Sequence, residues 1–223
     1  MELAGSLGID LGIKDFAVTS EAEIIDAPNY KKLIKAVARW NRNLARKEKG
    51  SHNFQKTRDQ LARKHRKTRR KRTDFMHKQT SMITKFSDVV SVENLNIKGM
   101  VQNRNLARSI SEQGWGQFKV LLKQKLDRKG GQLVMIDQFF PSTKTCSCCG
   151  WIQKMPLSVR VYDCGNCGVQ IPRDLNAAYN IRNEGERKIR SVRPELKLVE
   201  SHGENQCAGN GINSSRLYEA RSS

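Results

Sequence analysis

The 223 residues suffice for one substantial domain with an insertion, or one domain plus a small module. A hydrophobic fraction of 37% places part of the chain outside the main core, and no apolar run is long enough to cross a bilayer. The net charge of +19 points to a polyanionic partner. With no signal-peptide core near the N-terminus, a cytosolic protein is expected.

The charge is concentrated. Residues 31–79 carry 19 Lys and Arg against Glu48, Asp59 and Asp74, so +16 of the +19 lies there. A solvated helical face normally mixes both signs. Nothing in the segment resembles an interfacial membrane anchor, so nucleic acid is the expected partner and a membrane is not.

Residues 5–26 read as three short strands, "SLGID", "DFAVT" and "EIIDA", joined by glycine and polar turns. Asp10 stands at the centre of the first of them, among Leu7, Ile9, Leu11 and Ile13. A carboxylate in such a place needs a partner or a metal. Beyond Pro28, residues 31–48 and about 54–86 form two predicted helices joined by "KGSHN". The first half of the second helix, "RDQLARKHRKTRRKR", is expected to face solvent or phosphate, and its last turns to dock on the core.

"DVVSVENLNIKGM" (88–100) opens a second buried strand whose apolar run stops at Glu93, and residues 101–111 are expected to be a loop. From Gln113 to Lys129 the spacing places Trp115, Phe118, Leu121, Leu122 and Leu126 on one helical face. Core packing is the expected role of Trp115, with stacking on a base as its alternative. "GGQLVMID" (130–137) is a further core strand. The order predicts a mixed α/β sheet with helices packed against it. After a cysteine-rich stretch at 142–171, helical spacing returns with Leu175, Ala178 and Ile181 in a helix at 172–188. Residues 189–223 are polar and are expected to be a disordered tail that includes Cys207.

The cysteine stretch holds two CxxCG units, Cys146-Ser-Cys-Cys149-Gly150 and Cys164-Gly-Asn-Cys167-Gly168, separated by 14 residues. Each CxxC turn presents two thiolates, and the following glycine allows the tight backbone that aims N–H groups at sulfur. Four thiolates leave no open coordination position, so structural Zn²⁺ is expected. Cys148 offers an alternative ligand, but the matching glycines favour Cys146 and Cys149 and leave Cys148 as a spare thiol. Disulfide pairing is the competing reading, disfavoured in a cytosolic protein.

Glu93 closes a strand of the same buried type as that of Asp10, and Asp174 opens the helix after the cysteines. Three carboxylates on two strands and a helix N-terminus could converge at a sheet edge, where hard oxygen ligands would select Mg²⁺ or Mn²⁺. Each has an ordinary alternative: Asp174 as an N-cap, Glu93 as an exposed strand end, Asp10 as an acceptor in a turn.

"GIDLGIKDFAVTS", "VVSVENLNIKGMVQNRNLARSISEQGWGQF", "FFPSTKTCSCCGW" and "YDCGNCGVQIPRDLNAAYNI" resemble, in that order, the C-terminal half of TnpB (OrfB) proteins, transposon-encoded RuvC-like relatives of the type V CRISPR effectors. The resemblance implies an RNase H-like (RuvC) core over 1–141, with a basic helical hairpin at 31–86. It further implies a zinc ribbon at 142–171, a final RuvC helix at 172–188, and Asp10, Glu93 and Asp174 as the catalytic, magnesium-binding carboxylates. Gly8 and Gly12 would then let metal and phosphate approach the backbone beside Asp10. Family members cut DNA under the direction of a guide RNA, using an additional N-terminal half that this sequence lacks. A truncated copy or fragment is therefore expected, keeping the chemistry while losing most of the targeting. The alternatives are a nucleic-acid-binding remnant without cleavage, or an inert, decaying transposon copy.

Overall fold

A computed structural model describes residues 2–156, 158–192 and 197–199. The chain divides into two units, residues 27–80 and the remainder.

The larger unit is built on a five-stranded mixed sheet. After a short β1 (Glu2–Ala4), the strands β2 (Ser6–Leu11), β3 (Ala17–Thr19) and β4 (Ile24–Ile25) form the predicted antiparallel meander. The chain then leaves for the smaller unit. There α1 (Lys31–Ala45) precedes α2 (His52–Phe86), whose last residues, from Ser81, belong to the larger unit. Within the smaller unit, the ring of Tyr30 at the head of α1 lies under the guanidinium of Arg72, 5.7 Å from its centroid, and beside the Lys71 ammonium. Arg63, Arg66, Lys67, Arg69, Arg70 and Lys71 of α2 are exposed. The expected solvent-facing basic surface is present.

The chain returns as β5 (Val89–Glu93), parallel to β2, with Ser6 opposite Val89 and Ile9 opposite Val92. Of the predicted loop at 101–111, residues 102–106 are turns and the rest is helical. Two short helices occupy the region, α3 (Ile97–Val101), capped by the Asn96 side chain accepting from Gly99 N–H, and α4 (Ala107–Gln113). Ile110 is the one buried residue of α4, so no periodic apolar signal announces it. Gly114, at φ 69°, then turns the chain into α5 (Trp115–Arg128), which buries Trp115, Phe118, Leu122 and Leu126. Trp115 is 2% exposed, which assigns it to the core and removes it as a stacking platform. β6 (Gln132–Ile136) pairs parallel to β5, completing the order β4-β3-β2-β5-β6.

The cysteine region contains a small hairpin of β7 (Val161–Asp163) and β8 (Gln170–Pro172), and an isolated bridge between Thr145 and Ile152. α6 (Arg173–Val192) follows and packs across β2, β5 and β6. It runs four residues beyond its predicted end at 188. Part of the expected tail is also ordered, because Lys197–Val199 form β9 in parallel with β1. The rest of that tail, including Cys207, lies outside the described residues. Among the described residues no helix is long and apolar enough to cross a membrane.

α6 lies flush on the sheet because two glycines leave room for it. A Cβ on Gly8 would stand 2.0 Å from the Ala178 carbonyl oxygen, and one on Gly185 would stand 1.8 Å from Ser91 Oγ. Gly8 therefore seats a helix, and Gly12 closes a turn against the Asp15 carbonyl. Gly8 thus serves packing and Gly12 chain reversal.

Candidate active site and cysteine centre

Side chains alternate across a strand, so Asp10 emerges on the same face as Gly8, two residues further on, and Glu93 on the same face as Ser91. Gly8 and Ser91 are cross-strand partners. Asp10 and Glu93 therefore leave the carboxyl ends of adjacent parallel strands side by side, on the face that α6 covers. Asp174 lies in the first turn of α6, one turn before the Ala178 that touches Gly8. The fold thus brings the three predicted acids to one end of the sheet.

Their electrostatics report the proximity. Burial pushes the Asp10 carboxyl well above its usual 3.8, the charges of Glu93 and Asp174 push it further, and the Arg173 guanidinium opposes them. Burial also raises Glu93, while a hydrogen bond from the Ser142 hydroxyl draws it back. Asp174 is held by its neighbour: Arg173 donates to Oδ1 through Nε at 3.1 Å and Nη2 at 3.0 Å, and Arg160 stands 3.9 Å from Oδ2. Acids crowded in this way, facing like charge in a partly dry site, fit a divalent cation by the chemistry of the donor set.

The second centre is geometrically tighter. Among the described residues, Cys146, Cys149, Cys164 and Cys167 are the group whose ligand atoms all lie within 4.8 Å of one another. Cys146 and Cys167 sulfurs are 3.7 Å apart, and Cys149 and Cys164 sulfurs 3.6 Å. A disulfide would require about 2.05 Å. Thiolates at the corners of a tetrahedron with metal–sulfur bonds of about 2.3 Å lie about 3.8 Å apart, so the donor set fits a tetrahedral metal.

The two knuckles are built alike. Cys146 N–H donates to the Trp151 carbonyl and Gly150 N–H to the Cys146 carbonyl; Cys164 N–H and Gly168 N–H repeat the pattern with Val169 and Cys164. Gly150 and Gly168 both sit in the left-handed region, at φ 75° and 73°. Burial holds the Cys146 thiol up at about 12, whereas the Asn166 amide draws Cys149 down to about 6. Cys148, half-buried, packs against the cluster of Cys146, Tyr162 and Cys164.

The sequence reading missed the residues that join the two centres. Asn176 and Asn180, four apart on α6, are 0% and 5% exposed. Asn176 donates to the Thr145 carbonyl at 2.7 Å and accepts from Ser147 N–H at 2.9 Å. Asn180 donates to the carbonyls of Ser142 and Thr145 at 2.8 and 2.7 Å. Two amides one helical turn apart, next to the apolar positions Leu175, Ala178 and Ile181, were the available signal.

A mixed sheet bears acids at its carboxyl edge with a four-thiol module beside them, and comparison with known proteins supplies the family. Residues 4–104 match the OrfB_IS605 family, described as "Probable transposase", and residues 115–181 match the Cas12f1-like TNB domain. The chain is 37% identical over 182 residues to a Streptomyces pristinaespiralis protein, covering 81% of this chain and 45% of that one. It is 31% identical over 199 residues to InsQ of Escherichia coli K12, covering 82% and 49%. Both carry the name "Putative RNA-guided DNA endonuclease". A TnpB-like protein of Acanthamoeba polyphaga mimivirus is 29% identical over 200 residues, covering 81% and 37%. A solved Cas12f1–sgRNA–target DNA complex matches in fold with a TM-score of 0.54 and 20% identity, over 81% of this chain and half of that one. The chain is a TnpB/OrfB-type relative of the Cas12 proteins. It spans about half the length of the curated relatives it matches.

Proposed function

We propose that the chain is a metal-dependent DNA endonuclease of a transposable element, with a RuvC-like core of the RNase H type and an inserted zinc ribbon. The observation that carries this reading is the pairing of Asp10 with Glu93 on adjacent parallel strands, facing the helix that starts with Arg173 and Asp174.

Asp10, Glu93 and Asp174 would hold Mg²⁺ or Mn²⁺. Divalent cations bound there activate water and neutralise charge at a phosphodiester. The protein's own part is to fix the acids. Parallel pairing sets the spacing of Asp10 and Glu93, the Ser142 hydroxyl orients Glu93, and Arg173 holds Asp174. Cys146, Cys149, Cys164 and Cys167 would hold Zn²⁺ as a structural metal. The basic residues of α1 and α2 would contact phosphates without reading sequence. The names and complexes of the relatives support DNA and a guide RNA as partners, the guide requiring segments outside the matched half.

The test is cleavage of single-stranded DNA with and without Mg²⁺, by wild type and Asp10→Ala. Product from the wild type alone, and only with Mg²⁺, supports the reading. Salt-dependent binding by both proteins with no product from either supports the nucleic-acid-binding remnant instead.

A further inference from the structure

The hydrogen bonds between the cysteine module and α6 form a continuous path to Glu93. Ser147, between Cys146 and Cys148, donates its N–H to Asn176. Asn176 and Asn180 both hold the carbonyl of Thr145, the residue before Cys146. Asn180 also holds the carbonyl of Ser142, whose hydroxyl donates to the Glu93 carboxylate. The turn between these points is tightened by Pro141, whose carbonyl accepts from the N–H groups of Lys144 and Thr145 and from the Thr145 hydroxyl. Ser142 is 3% exposed, so its hydroxyl has little recourse to solvent.

From this path we infer that the first cysteine knuckle positions Glu93, with Ser142 and Asn180 as positioning residues that make cation binding at the acidic centre depend on an intact cysteine centre. The inference rests on the proposed roles of the two centres. Its physical basis is that a carboxylate on a strand end retains rotamer freedom, and an orienting donor removes it before the cation arrives. Partners that orient metal ligands in this way are worth about 10- to 100-fold in metal affinity. Asn180 adds a second restraint: its amide fixes the backbone from which the Ser142 hydroxyl reaches out. Asparagine suits the position because one NH₂ group supplies two donors to two carbonyls.

The experiment is Mn²⁺ titration of the full chain followed by electron paramagnetic resonance, with zinc content and melting temperature measured on each protein. Ser142→Ala and Asn180→Asp should weaken Mn²⁺ binding about tenfold while retaining one zinc per chain. Ser142→Thr, which keeps the hydroxyl, should restore most of the affinity. Cys167→Ser, at the far knuckle and outside the hydrogen-bonded path, should lose zinc and weaken Mn²⁺ binding in parallel. Unchanged Mn²⁺ affinity in Ser142→Ala and Asn180→Asp would overturn the inference and leave the acidic centre intact. No Mn²⁺ binding by the wild type, or equal binding by Asp10→Asn, would overturn the acidic centre and the inference with it.

Discussion

Asp10 illustrates the cost that a single buried acid carries. Its carboxyl is held well above 3.8 by burial first and by Glu93 and Asp174 next, so the folded state binds its proton more tightly than the unfolded chain does. That contribution is fully present below about pH 3.8 and is lost as pH rises through the raised value. Asparagine carries no such proton. In cation-free buffer the stability of Asp10→Asn relative to wild type should therefore grow as pH rises above 3.8. At pH 8 the gain should appear as a higher Tm, relative to wild type, than at low pH. Thermal melts across that range check the prediction, and a gap independent of pH would contradict it. Asp10 was legible in the sequence because an acid amid apolar strand residues is conspicuous. Ser142, Asn176 and Asn180 were not, because Ser and Asn are ordinary in loops and helices until their burial is known.

At the scale of elements, the fit of α6 on β2 and β5 depends on missing side chains. Gly185→Ala should cost about 1–3 kcal/mol, because its Cβ meets both Ser91 Oγ and Ser91 Cβ. Ser91→Gly removes both obstacles and a buried hydroxyl with no hydrogen-bond partner among the described residues. The double variant should thus be more stable than the sum of the singles by about 1–2 kcal/mol in denaturant melts, whereas strict additivity would contradict the packing. Gly8→Ala has no such remedy, since its obstacle is the Ala178 backbone. The cysteine module is the other separable element. Cys164→Ser should lose zinc by elemental analysis and lower Tm by on the order of 10 °C; retention of both would contradict a structural metal. The strands, the long helices and the paired CxxCG units were legible because period and spacing repeat. α3 and α4 escaped because neither spans enough turns to show a periodicity. The packing role of Gly8 was not legible because a glycine's sequence neighbours do not reveal which distant backbone will press against it.

On the scale of the whole molecule, charge and chemistry are divided between sequence segments. Residues 31–79 hold +16 of the net +19, while the acids and thiols lie outside them. The basic segment should supply affinity that depends on salt. Replacing the exposed Arg66, Arg69 and Arg70 by alanine should reduce the slope of log affinity against log salt for single-stranded DNA by about 2. An unchanged slope would place the phosphate contacts elsewhere. The charge was legible from composition, but composition gives no geometry for the acids, which came together only through parallel pairing and the return of α6. The proposed cleavage also requires that substrate be loaded, so occupancy of the acidic centre by a cation is the more direct test. In a crystal of the chain soaked with Mn²⁺, anomalous scattering should place manganese against the carboxylates of Asp10 and Glu93. Manganese bound elsewhere, with those two carboxylates left bare, would contradict the account.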